Sequence, residues 1–170
     1  MGLLTSDMKR VVEEQRLGFF ATVCPDGTPN LSPKGTTAVW DDDHLVFANI
    51  RSPVTLANLR RNANVEVNVV DPIVRKGYRF KGVATILESG PLYDEAIAFY
   101  KKRGTALEIF EVVLVTVQSA KPVTSPAYES ATTGVAGGMR KAPSMRRPTC
   151  QVRTDVAVRA RAKARATAWS

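Results

Sequence analysis

Arg51, Ser52 and Thr55 are the residues in this chain whose types and spacing best suggest chemistry. A strand ending at Asn49 runs into a helix whose start is written in the sequence. Ser52 is placed to cap the first free N–H groups, and Pro53 suits the first helical position, where its missing N–H costs nothing. Arg51, Ser52 and Thr55 would then surround a helix N-terminus, whose N–H groups and dipole attract anions. This outlines a phosphate cradle, although an ordinary capped helix beside a solvated arginine would read the same way. A second group of polar residues lies earlier. Asn30, Ser32, Lys34 and Thr36 alternate, so one strand would carry all four on a single face.

These residues need elements to position them. Thr5 or Ser6 can cap an amphipathic helix over 5–17, with Met8, Val11 and Val12 as its apolar stripe and Gly18 as its stop. Strands are predicted over 19–24, 29–40, 45–49, 63–70, 78–87 and 109–118. Turns fall at Pro25-Asp26-Gly27, Asp41-Asp42-Asp43 and Asp71-Pro72. Gly90-Pro91 opens a further helix through about residue 103. The run Val112-Val113-Leu114-Val115 is apolar on both faces, so both need cover, from this chain or, on one face, from a second subunit. Six strands joined mainly by short turns indicate a mainly β fold with flanking helices, built as a closed or nearly closed antiparallel barrel.

The net charge of +8 is unevenly placed. Nine of the 24 basic residues but one of the 16 acidic ones lie in 131–170, so residues 1–130 hold 15 of each sign. That last segment has one aromatic residue, Trp169, and cannot bury enough apolar surface to offset ordering its backbone. It reads as a disordered basic tail, and its composition also suits a high-GC coding sequence read out of frame. The expected division is a globular domain over 1–127 and a tail over 128–170. Cys24 and Cys150 make no disulfide framework, and the lone His44 gives no His-rich metal site, so no metal is expected. No signal peptide and no membrane-length apolar run is visible, which makes a soluble, reduced, cytoplasmic protein the default.

Several segments taken in order carry a resemblance. They are Gly18-Phe19-Phe20-Ala21-Thr22-Val23 with Asp26-Gly27 and Pro29, then Ser32-Pro33-Lys34-Gly35-Thr36 and Leu45-Val46-Phe47-Ala48-Asn49. Thr55-Leu56-Ala57-Asn58-Leu59-Arg60-Arg61-Asn62, the valine-rich strand and Phe80-Lys81-Gly82-Val83-Ala84 follow. Over about residues 5–125 the chain resembles the short members of the FMN-binding split-barrel family related to pyridoxamine 5′-phosphate oxidase. The resemblance implies a six-stranded antiparallel split β-barrel of Greek-key type, paired as a homodimer with FMN at the interface. It further implies that Ser32, Pro33, Lys34, Gly35 and Thr36 flank the isoalloxazine and ribityl chain. Ala48 and Asn49 would continue that wall, while Arg51, Ser52, Thr55 and Asn58 would hold the phosphate and its neighbourhood. Lys34 would place its ammonium near the N1–O2 edge of the flavin and tune it. Arg79 and Lys81 share a strand face and could reach a partner's cofactor or an anionic substrate, or simply be solvated.

No Ser-His-Asp or Cys-His arrangement exists, so no catalytic residue is nominated. The implied function is an FMN-dependent oxidoreductase served by a small-molecule electron donor. Alternatives are a non-catalytic FMN protein for electron transfer or flavin storage, an F420-dependent member, or nucleic-acid binding through the basic tail. Haem is disfavoured by the want of a histidine ligand. The substrate set of pyridoxamine oxidase itself cannot be identified, so that activity is not inferred.

Overall fold

The computed structural model describes residues 2–124. Three helices, α1 (Ser6–Gln15), α2 (Pro53–Arg61) and α3 (Pro91–Lys102), accompany seven strands. These are β1 (Gly18–Val23), β2 (Pro29–Lys34), β3 (Ala38–Val39), β4 (His44–Asn49), β5 (Asn64–Asp71), β6 (Lys76–Leu87) and β7 (Glu111–Thr124). They form one antiparallel sheet in the order β2-β1-β5-β6-β7-β4-β3. The expected tail over 128–170 lies outside the described residues.

Chain connectivity forces this sheet to curl. Strands β2 and β3 stand at opposite ends of the order, yet only Gly35, Thr36 and Thr37 separate them. Such a link spans at most about 14 Å, whereas the edges of a flat seven-stranded sheet lie roughly 29 Å apart at about 4.8 Å per strand. The two edges therefore meet at this corner, as a split barrel requires.

The same corner corrects the expected strand count from six to seven. A single strand over 29–40 is interrupted because hydroxyls take over the backbone bonding. Thr37 Oγ1 donates to Lys34 O (2.6 Å) and accepts from Gly18 N (3.1 Å), while Thr36 Oγ1 donates to Ala48 O (2.9 Å) and accepts from Ala48 N (3.1 Å). Pro29 and Pro33 lie opposite Val23 and Phe19. Lacking N–H groups, they must sit where the donor would point away from β1, which blunts the free edge of β2 against strand addition.

Phe20, Leu45, Phe47, Val67, Val69, Phe80, Val113 and Val115 fill the barrel, and Val12 of α1 packs with them. A second cluster joins Val46, Ala48 and Val112 to Ala96 and Tyr100 of α3. The two-sided apolar run in β7 thus turns Val113 and Val115 into the barrel and Val112 toward the chain's own third helix, with Leu114 left half-buried. Helix α1 is capped by Thr5, whose Oγ1 accepts from Met8 N (3.3 Å). It ends at Arg16, in the left-handed region at φ 54°, before Gly18 is reached. On β1, Phe20 and Thr22 face inward, while Phe19 and Val23 face out. None of the described helices is long and apolar enough to cross a membrane.

Candidate functional site

Lys34 organises the site. The inward parity of Asn30, Ser32 and Lys34 on β2 aims their side chains toward the start of α2, and Lys34 ends 5% exposed. Its Nζ donates to Ser52 Oγ (2.5 Å), Ser32 Oγ (2.6 Å) and, more distantly, Thr55 Oγ1 (3.4 Å). The ring of Phe47 lies 5.6 Å from the ammonium and keeps water from one side. Among the described residues no carboxylate pairs with it, and it is the one lysine that is buried. A buried charge without a counter-ion is costly, and burial accordingly lowers the Lys34 pKa below its usual value.

Ser52 does not do what its position suggested. It precedes α2 at φ −146° and ψ 58°, and its side chain makes no capping bond. The Lys34 ammonium holds its Oγ instead. Among the described residues the N–H groups of Val54 and Thr55 thus have no side-chain cap, Pro53 has no N–H to satisfy, and Leu56 N donates to Ser52 O (3.2 Å). Lys34 and Ser52, expected beside the ring and the phosphate respectively, thus lie in direct hydrogen-bond contact.

Behind the cluster runs a polar network. Asn30 Nδ2 donates to Thr22 Oγ1 (3.1 Å) and Thr55 Oγ1 (3.4 Å), and Asn58 Nδ2 donates to Thr22 Oγ1 (3.1 Å) and Cys24 Sγ (3.5 Å). Thr22, Thr55 and Asn58 are each 2% exposed. Asn58 thus sits beneath the site, fastening α2 to β1, and does not reach its open side. Sequence reasoning missed Thr22 and the contact role of Asn30; alternation along β1 and β2 was the available signal.

The remaining expected residues form the rim. Pro33, Gly35 and Arg51 are exposed, and Arg51 makes no hydrogen bond or ion pair among the described residues. A Cβ built on Gly35 would meet nothing within 4 Å, so there is open space above it. Thr36 is locked to the Ala48 backbone, and its carbonyl accepts from the buried Tyr100 hydroxyl (2.9 Å). Ala48 turns its own side chain toward α3. Asn49 donates to Glu111 (2.7 Å) and leaves its Oδ1 buried without a partner. Arg79 and Lys81 both pair with Glu66, at 2.9 and 3.3 Å, on the outer face. A cavity of about 200 Å³ adjoins Gly35 and Thr36. A larger one, about 640 Å³ between α3 and the segment after it, shares no residue with the Lys34 cluster, and the buried cation with its hydroxyls is the better guide to chemistry.

A curled antiparallel sheet with a polar side-chain cluster at the start of α2 defines the class of molecule: a split barrel with a polar corner on its β2–β4 rim. Comparison identifies the family. The model described as pyridoxamine 5′-phosphate oxidase matches residues 4–126, and the chain belongs to that family. Among solved structures it is similar to HupZ of Group A Streptococcus, at 30% identity and TM-score 0.65 over 71% of this chain and 94% of that one. An FMN-binding protein of Syntrophomonas wolfei is 17% identical with TM-score 0.60, over 72% and 87% of the two chains. An F420 reductase is 21% identical with TM-score 0.55, over 69% and 98%. At the latter identities the likeness is one of fold. The search of curated proteins gives no match.

Proposed function

We propose that this chain is an FMN-binding flavoprotein working as an oxidoreductase in the cytoplasm, with the cofactor held at a homodimer interface. The observation that carries the reading is the Lys34 ammonium, buried without a carboxylate and surrounded by three hydroxyls at the start of a helix. An anion with several acceptor oxygens would satisfy that charge, the hydroxyls and the uncapped N–H groups of α2 together.

The residues fit the whole cofactor as well as its phosphate. Ser32, Lys34, Ser52 and Thr55 would hold the phosphate, with Arg51 at its exposed side. Pro33, Gly35 and Thr36 would border the ring, where Gly35 leaves room. Ala48 would act through the backbone it gives to Thr36, Asn49 through its unpartnered oxygen, and Asn58 by fixing α2. Bound FMN would supply hydride and electron transfer.

The site is open in a single chain, and the outer face next to it is unusually apolar. Phe19, Val23 and Leu31 are 39%, 45% and 62% exposed, and Pro29 and Pro33 extend their surface. Exposed apolar patches of this kind mark interaction surfaces. A second copy packed on this face would bury it and close the flavin site.

The test is the absorbance spectrum and mass of the cofactor that co-purifies. FMN supports the proposal; F420, haem or nothing refutes it. Anaerobic bleaching of the yellow protein by a reduced nicotinamide at a catalytically useful rate would support the oxidoreductase. Uniformly slow bleaching by all donors would favour a carrier of electrons or flavin.

A further inference from the structure

Resting on the phosphate assignment above, the hydrogen-bond count at the Lys34 cluster also specifies the ionisation state of the ligand. An ammonium has three protons and no lone pair. All three are directed at hydroxyl oxygens, those of Ser52, Ser32 and Thr55. Lys34 therefore has no donor left for a ligand and acts through its neighbours. Each hydroxyl accepts from the ammonium and keeps its own proton to give. Thr55 is constrained further, because Asn30 Nδ2 also donates to it at 3.4 Å. Both of its lone pairs are then engaged, and its O–H can only donate outward. Asn30 is itself held by Thr22, which Asn58 fastens from the other side.

We propose that this cluster selects a doubly ionised terminal phosphate, an acceptor-only group, over the phosphate monoanion or a singly charged sulfate ester. Asn30 is the positioning residue that makes Thr55 a donor. A monoanion brings its own O–H, which would have to bond to hydroxyls already drained by an ammonium. A dianion accepts from all three hydroxyls and balances Lys34 together with the helix terminus. The other charged or ionisable groups around the cluster are Arg51 ahead of α2 and Cys24 at the end of β1. Beyond Asn49 lies Glu111 of β7, which is also paired with Arg60 of α2. None of these ionisable groups offers a bare acceptor, and the unpartnered oxygen nearby, Asn49 Oδ1, hydrogen-bonds to no member of the Lys34 cluster.

The experiment titrates the purified apoprotein with FMN, riboflavin 5′-sulfate and riboflavin between pH 5 and pH 7, reading flavin fluorescence. With a second phosphate pKa of about 6, the dianion fraction rises about tenfold over this range, and FMN affinity should rise by the same factor. The sulfate and riboflavin should stay flat. Flat FMN affinity, or a parallel rise for the sulfate, overturns the inference, the latter because a protein group would then be titrating. Asn30→Leu, nearly the same shape and uncharged but without the donor, should free a Thr55 lone pair and let its proton turn away from the ligand. It should cut the preference for FMN over the sulfate at pH 7 by about tenfold while leaving riboflavin affinity unchanged. An unchanged preference overturns the role of Asn30. If that variant fails to fold, Thr55→Val, which deletes the donor, should give the same loss, and an unchanged preference there is equally fatal. Equal affinity for FMN and riboflavin at every pH would instead remove the phosphate assignment itself.

Discussion

Replacing Lys34 with Met separates the cost of the buried cation from its use. Met fills a similar volume and keeps the contact with Phe47, but removes the charge and three hydrogen bonds, two of them 2.5 and 2.6 Å long. One hydrogen bond involving a charged group is worth about 1.5–3 kcal/mol. Losing one equivalent from the bound state should therefore weaken FMN about 10- to 150-fold, with riboflavin changed by less than about threefold, within the usual scatter of such effects. The apoprotein should respond in the opposite sense. Folding depresses the Lys34 pKa, so the unfolded chain binds more protons between the depressed and the ordinary value, and stability rises with pH across that window. At neutral pH the cation is a net cost, and Lys34→Met should stabilise the apoprotein by about 1 kcal/mol and abolish its alkaline gain. Fluorescence titration gives the affinities, and urea unfolding of apoprotein at pH 7 and pH 10 gives the stabilities. Parallel losses of FMN and riboflavin, or a less stable apoprotein at pH 7, would show the ammonium to be a structural strut and refute the reasoning.

Leu31→Arg puts a charge on the most exposed apolar residue of the β1–β2 face. It should convert a dimer to monomer in sedimentation and weaken flavin binding with it; a monomeric protein of undiminished affinity would separate the two. Gly82 faces the extra residue Gln118 at the irregularity between β6 and β7, and a Cβ there would lie 2.2 Å from Thr116 O. Gly82→Ala should cost about 3 kcal/mol in denaturant unfolding, against almost nothing for Gly35→Ala, whose Cβ meets open space. Tyr100→Phe strands the Thr36 carbonyl under α3 and should cost about 1 kcal/mol, seen as a lower thermal midpoint. Truncation after Ala127 should leave unfolding, dimerisation and flavin binding unchanged, because the family match ends at residue 126; loss of any of them would move the domain boundary.

Local signals in this sequence stated local structure well. Thr5 caps α1, and Pro53 and Pro91 each open a helix. The alternation does place Asn30, Ser32 and Lys34 on one face, but Thr36, expected with them, falls beyond the end of β2 and bonds to the Ala48 backbone. Two features were hidden because they depend on which strands become neighbours. The break between β2 and β3 is made by Thr36 and Thr37 bonding to Ala48, Lys34 and Gly18, and nothing in a strand-like run announces that its hydroxyls will take over the backbone bonding. The apolar faces of β7 did announce that both need cover. On one of them α3 supplies cover, packing Ala96 and Tyr100 against Ala38, Val46, Ala48 and Val112, a neighbour that the run itself does not name.

The same distinction explains why the site was half legible. A serine followed by proline marks a helix start, and the natural inference is that the serine caps it. Here the cap is forgone because a lysine from a strand eighteen residues earlier reaches its oxygen first. An uncapped helix beside an unpaired buried ammonium is two costs at one place, and a folded chain retains such costs where a ligand offsets both. Only the combination discriminates. Either feature alone would be ordinary, and a carboxylate within reach of Lys34 would have made the corner a structural ion pair with no call for an anion.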